Sequence, residues 1–81
     1  MYYVYVLKSE KSSSLYKGQT DNLEKRLKEH NNGKVKYTKS YIPWEIIYYE
    51  VFTTREEAVN REKYLKSGIG RQFLKEKIKR G

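Results

Sequence analysis

The sequence predicts an α+β fold in which a small three-stranded sheet is accompanied by three helices. Three observations predict it. Extended runs rich in Tyr, Val and Ile occupy residues 2–7, 15–17 and 44–52, a composition that suits a pleated, half-buried surface. Two pairs at capping spacing, Asp21 with Glu24 and Thr54 with Glu57, supply side chains that satisfy the free backbone amides at a helix start. Glycines at 18, 33, 68 and 70 punctuate the periodic segments.

Residues 2–7 read YYVYVL, an unbroken run that marks a strand buried on both faces or nearly so, ended by Lys8-Ser9-Glu10. Lys11 to Ser14 is the turn. Leu15, Tyr16 and Lys17 resume the extended pattern and Gly18 stops it, making an antiparallel hairpin with the first run. Helix one opens on the Asp21 cap and closes at Asn31-Asn32-Gly33. At about 100° per residue, Leu23, Leu27 and His30 share a stripe with Arg26 on its flank, while Lys25, Lys28 and Glu29 point away.

Residues 33–43 carry Lys34, Lys36, Lys39, Tyr37 and Tyr41 with no sustained period and read as an exposed basic loop. The third strand, residues 44–52, places Ile46, Tyr48 and Glu50 on one face and Ile47, Tyr49 and Val51 on the other. Helix two runs from the Thr54 cap to Lys66. Glu62 falls about 40° from Ala58 on its wheel, so it projects from the apolar stripe. A carboxylate there must be paired, protonated or bound to a cation. Gly68 and Gly70 set off a last helix, residues 71–79, with Leu74, Ile78 and Phe73 apolar and Lys75, Lys77, Lys79 and Arg80 coating the rest.

Eighty-one residues predict one domain, 1–81, because so short a chain rarely has apolar area for two cores. Eighteen Lys and Arg against ten Asp and Glu give a net charge of +8, which points to a polyanionic partner. The absence of Cys excludes disulfides and Cys-ligated zinc, and a single His excludes multi-His sites. Any metal must sit on carboxylates and water, as Mg²⁺, Mn²⁺ or Ca²⁺ do. No run approaches the roughly eighteen apolar residues of a membrane span, and no secretory signal pattern opens the chain. A cytosolic location, away from membranes, is expected.

Four features then converge: the Tyr-rich first strand, Tyr16 before Gly18, Arg26 with His30 on helix one, and Glu62 on helix two. Their order resembles the GIY-YIG nuclease family, whose two short motifs stand here as Tyr3-Val4-Tyr5 and Tyr16-Lys17-Gly18. Arg26 and His30 in RLKEH match that family's helix-one pattern, and Glu62 in EAVNREKYLK matches its metal-binding Glu. The likeness covers nearly the whole chain and is greatest to the small bacterial members that consist of the catalytic module alone. Lys17 stands where the second motif has an apolar residue, and Tyr3 where the first begins with Gly.

The resemblance implies a three-stranded antiparallel sheet flanked by helices and a divalent-metal-dependent endonuclease that hydrolyses phosphodiester bonds in DNA. It gives Tyr5, Tyr16, Arg26, His30 and Glu62 catalytic roles, lining one concave face. Glu62 would be the sole protein ligand of Mg²⁺ or Mn²⁺. Tyr5 and Tyr16 would flank the attacking water, one of them as general base; Arg26 would stabilise charge building on phosphorus, and His30 would orient the proton relay. Lys17, Lys34, Lys36, Lys39 and Arg71 would hold the nucleic-acid backbone.

So small a module has little surface with which to read a long sequence. Branched, damaged or single-stranded DNA, in repair or recombination, is the expected substrate, and a protein partner could add specificity. The alternative is a non-catalytic basic DNA- or RNA-binding module on the same fold, with Tyr37, Tyr41 and Trp44 stacking on bases. Each residue also has a structural alternative. Tyr5 and Tyr16 can fill a core, and Arg26 can pair with a carboxylate on the helix surface. His30 can meet the helix dipole as a C-terminal cation, and Glu62 can pair with Arg26 or Lys66.

Overall fold

The unbroken apolar character of the first run is explained by its place in the sheet. In a computed structural model, which describes residues 1–80, β1 (Tyr2–Ser9) lies between β2 (Leu15–Thr20) and β3 (Trp44–Phe52) and is antiparallel to both. Val4 and Val6 meet Ala58, Leu65 and Leu74 on one face. Tyr5 and Leu7 meet Trp44, Leu23 and Leu27 on the other. Helix α1 (Leu23–Asn31) therefore covers one side, and α2 (Arg55–Lys66) with α3 (Gly68–Arg80) covers the other. The expected α+β class and three-helix count are both met. Gly81 and the side chain of Arg80, assigned above to the outer coat of the last helix, lie outside the described residues.

Both hairpin strands outrun their expected ends: β1 runs on because Lys8 and Ser9 pair with Glu45 and Trp44 of β3, and β2 runs on because of Gly18. It does not turn the chain; it sits inside the ladder opposite Tyr5. A Cβ there would lie 2.6 Å from the Tyr5 hydroxyl and 2.8 Å from its Cζ, so glycine is needed for close approach rather than for a bend. Pairing consequently continues from Lys8 opposite Leu15 to Tyr3 opposite Thr20.

Strand β3 departs from simple alternation. Val6 lies opposite Tyr48 but Leu7 lies opposite Ile46, which leaves Ile47 as the extra residue of a bulge. Ile46 thereby joins Trp44 on the α1 face, whereas Tyr48 packs towards α2 and α3. The expected grouping of Ile46 with Tyr48 and Glu50 is corrected by this bulge. Beyond it, Glu50 receives Arg61 through two bonds of 2.8 and 3.1 Å and a hydrogen bond from the Tyr48 hydroxyl, while the guanidinium lies over the Tyr64 and Phe73 rings.

The helix starts show how local competition decides boundaries. The expected capping box of Thr54 and Glu57 is present in full. At α1, however, the cap is Asn22, whose Oδ1 accepts from the Lys25 amide at 3.1 Å, in place of the expected Asp21. Helix α3 begins at Gly68 rather than Arg71, with Gly70 buried in its first turn. A Cβ on Gly70 would lie 1.9 Å from the Tyr64 carbonyl oxygen and 2.6 Å from the Leu65 Cα. Because backbone cannot step aside, Gly70→Ala is expected to destabilise the fold by about 3 kcal/mol. Thermal unfolding followed by circular dichroism checks this, and an unchanged midpoint would refute the close approach.

The segment of residues 33–43 is not a free loop. Val35 and Thr38 are buried, a short 3₁₀ turn (Lys39–Tyr41) follows, and the Trp44 indole donates to the Thr38 carbonyl at 2.8 Å. Asn31 fastens the far end, accepting from the Trp44 amide at 2.7 Å and donating to its carbonyl at 3.0 Å. Lys34, Lys36 and Lys39 remain exposed on this tied-down segment. Trp44 is only 4% exposed, which removes it from the proposed base-stacking set. Among the described residues no helix is long and apolar enough to cross a membrane.

Candidate active site

Tyr5, Tyr16, Arg26 and His30 come together on the α1 side of the sheet. Strand alternation places Tyr5 there, and Tyr16, opposite Leu7 in the ladder, projects to the same face. Helix α1 delivers Arg26 and His30 one turn apart. The Tyr16 and His30 rings are 4.9 Å apart, edge to face, and those of Tyr5 and Tyr16 are 6.4 Å apart.

Hydrogen bonding orders these groups in one direction. The Thr38 hydroxyl donates to the Val35 carbonyl at 3.3 Å, so its oxygen is left to accept from His30 Nδ1–H at 2.8 Å. That assignment leaves a lone pair on His30 Nε2, which accepts the Tyr5 hydroxyl proton at 3.0 Å. The Tyr5 oxygen in turn receives the Arg26 Nε–H at 3.4 Å. Thr38 is thus the residue that sets the imidazole tautomer. Sequence reasoning passed over it because a lone β-branched hydroxyl among lysines has no periodic signature. Its one signal is its spacing of eight residues from His30.

Electrostatics keeps the pair neutral. Burial pushes the Tyr5 phenol up to about 12, against the hydrogen bond from Arg26, with the Tyr16 and Glu62 charges adding to the rise. Burial and then the Arg26 charge lower His30 to about 4. His30 is therefore not the cationic partner of a helix dipole considered above. Arg26 is held above its ordinary value, first by Tyr5 and then by its ion pair with Glu29 at 3.0 Å. Glu29, expected to point away, supplies that pair.

The depressed imidazole has a consequence for folding. Between pH 6.5 and about 4 the unfolded chain binds a proton that the folded imidazole refuses. Its contribution is complete above pH 6.5 and is lost as pH falls, by about 3 kcal/mol at pH 4. Urea unfolding from pH 7.5 to 4.5 is expected to show that slope, and a His30→Asn protein to lack it. An identical slope in both proteins would contradict the buried, neutral assignment.

The expected single concave face is met by these four alone: Glu62 arrives from the other helical layer and touches none of them. Its carboxylate accepts from Lys66 at 2.6 Å, one of the two internal pairings considered above. Its level along the sheet follows from its neighbours. Arg55 shares a cleft with Gln19 and Thr20, and Lys66 is close enough to Lys17 to press on its charge, so α2 runs antiparallel to β2. Seven residues from Arg55 to Glu62 span about 10 Å, or about three strand residues. That brings Glu62 level with Tyr16 and Lys17, consistent with its charge reaching the Tyr5 phenol.

Among the described residues no three His, Asp or Glu gather around a common point. The donor set is a single partly buried carboxylate. It fits a hard cation that keeps most of its ligands as water and phosphate oxygens, and no other class of metal. On the α1 flank of β2, Arg26 and Arg55 line a cleft of about 220 Å³ with Gln19, whose Oε1 is buried without a partner.

Comparison with known proteins agrees with this fold. The GIY-YIG catalytic domain matches residues 1–75. The UPF0213 protein CPE1444 of Clostridium perfringens is 52% identical over 75 residues, covering 91% of this chain and 80% of that protein. The UPF0213 protein SH2523 of Staphylococcus haemolyticus is 44% identical, covering 91% and 90%. A solution NMR structure of the UPF0213 protein BH0048 from Bacillus halodurans superposes with a TM-score of 0.54 at 33% identity, over 91% of this chain and 82% of that one. With a sheet and a helix that bring two phenols, an arginine and a histidine together, the match over residues 1–75 places this chain in the GIY-YIG catalytic domain family of nucleases.

Proposed function

We propose that the chain hydrolyses phosphodiester bonds in DNA, with a single divalent cation, Mg²⁺ or Mn²⁺, held by Glu62. One observation carries this reading: the Tyr5 hydroxyl is suspended between Arg26 Nε–H and the His30 Nε2 lone pair. A neutral phenol is a poor base at pH 7 unless its own proton has somewhere to go. Here it has. As Tyr5 takes a proton from water, its hydroxyl proton passes to His30 Nε2, whose low affinity for it in the free protein is offset by the negative charge of the phosphate bound and building beside it; the hydroxide forms the new P–O bond and the bond to the leaving nucleotide oxygen breaks. Among the described residues Tyr16 has no acceptor for its hydroxyl, which suits it to positioning the water or a phosphate oxygen.

Arg26 would stabilise charge building on the phosphate, where a guanidinium fork matches phosphate oxygens. The cation, when bound, would supply stabilisation of the departing oxyanion. Lys34, Lys36 and Lys39 on one side and Arg71 on the other would hold the backbone. The small surface favours nicked, forked or single-stranded substrates, met in repair or recombination in the cytoplasm.

The test is to incubate the protein with nicked, forked and single-stranded DNA, with Mg²⁺ or Mn²⁺ and with EDTA. Cleavage with metal and none with EDTA is the expected result. Binding without cleavage in every arm would overturn the hydrolytic reading in favour of a binding module.

A further inference from the structure

Lys17, the residue that replaces the apolar centre of the second motif, does not join the phenols. Its ladder partner is Val6, so its side chain lies on the α2–α3 face. There it enters a cleft of about 350 Å³ between β2 and α3, whose walls also carry Arg71 and Lys75 and no acidic residue. The ion pairs among the described residues engage Arg26, Arg61 and Lys66; Lys17, Arg71 and Lys75 have none.

The cleft is also unfavourably charged as it stands. The first turn of α3 contains no acidic residue, yet it bears Arg71 close to the positive end of the helix, the reverse of the usual arrangement. Burial and the nearby charges of Arg71 and Lys66 hold the Lys17 ammonium below its ordinary value. An apolar residue at this position would pack against Leu15 and Leu74 without that penalty. Three cations lining one cleft without a counter-charge, Lys17 among them partly desolvated, are relieved by an anion.

We propose that this cleft binds a non-scissile phosphodiester of the nucleic-acid backbone, held by Lys17, Arg71 and Lys75. Strand β2 is the outer strand on its side of the sheet, and its adjacent residues Tyr16 and Lys17 project to opposite faces. A strand bent around that edge meets the phenols on one side and the lysine on the other. The inference deepens the hydrolytic reading by naming where the substrate is gripped beyond the reacting bond.

The test uses equilibrium binding of a single-stranded oligonucleotide in EDTA, by fluorescence anisotropy across a salt series, for the wild type, Lys17→Ile, Arg71→Gln and the exposed control Lys63→Gln. Removing one cation from a backbone phosphate is expected to flatten the log–log salt slope by about 0.7 on single-stranded DNA. Lys17→Ile and Arg71→Gln should each show that change for every oligonucleotide sequence, and Lys63→Gln should not. The free Lys17→Ile protein should also melt at a higher temperature, since its repulsions are gone. Equal slopes in all four proteins, or an equal change in Lys63→Gln, would overturn the site.

A second arm adds inorganic phosphate. Thermal stabilisation by millimolar phosphate matching that by the oligonucleotide would identify a free-phosphate site and overturn the backbone assignment. Because the readout is binding without metal, failure here leaves hydrolysis untouched. Absent cleavage with the expected slopes would overturn hydrolysis alone.

Discussion

A Glu62→Gln protein is expected to lose about a thousandfold in the rate of metal-dependent cleavage, the equivalent of about 4 kcal/mol of transition-state stabilisation. The carboxylate is the one protein ligand available to the cation in this proposal, and an amide of the same shape offers a neutral oxygen in its place. Folding should be almost untouched. The pair that Glu62 makes with Lys66 is an i, i+4 contact on a helix surface, and such pairs are worth about 0.3–0.5 kcal/mol. Oligonucleotide binding in EDTA should likewise persist, so lost cleavage reports the metal and not the fold.

Lys66 supplies the complementary measurement. Its ammonium occupies the position of a counter-ion to Glu62, so Lys66→Ala is expected to lower the Mg²⁺ concentration needed for half-maximal cleavage. Single-turnover rates across a Mg²⁺ series check both statements. Cleavage that survives Glu62→Gln at saturating metal would remove Glu62 from the site.

The elements that were legible in the sequence are those decided locally. The box of Thr54 and Glu57 fixes the start of α2 from four consecutive residues, and the apolar run of β1 announces a central strand without any partner being known. What stayed hidden depends on partners far along the chain. Whether Asp21 or Asn22 caps α1 turns on which side chain the approaching strand leaves free: the Thr20 hydroxyl takes the Asn22 amide, and Asn22 Oδ1 is then set to receive Lys25. The bulge at Ile47 is invisible to a period-two count, because it arises where β3 must serve α1 with Trp44 and α2 with Tyr48. Gly70 reads as a breaker until α3 is packed on the end of α2; only then is it the residue that lets the two backbones meet.

The site divides in the same way. Tyr16, Gly18, Arg26 and His30 lie within fifteen positions, and their spacing already brings three side chains to one side of the sheet. Thr38 has no such signature: its role exists only once Trp44 and Val35 have drawn the intervening segment down onto α1. The depth of His30 was equally out of reach, since a helix wheel places it on a stripe but cannot show that Tyr5 fills the space above it.

Tyr5→Phe is expected to reduce cleavage by about a thousandfold, and Tyr16→Phe by about tenfold, an ordering set by where each proton can go. Removing the Tyr5 hydroxyl deletes the base and breaks the path to His30 Nε2. Removing that of Tyr16 deletes a positioning group and leaves the relay whole. The phenylalanine at position 5 fits, because it only takes away an atom, although Arg26 Nε and His30 Nε2 each lose a partner, at about 1 kcal/mol apiece. Gly18→Ala reaches the same endpoint by another route, since its Cβ would displace the hydroxyl from between the two nitrogens. Single-turnover cleavage of all three variants at saturating Mg²⁺ separates the possibilities: a larger loss for Tyr16→Phe than for Tyr5→Phe would transfer the role of base to Tyr16 and leave the Tyr5–His30 bond as a purely structural contact.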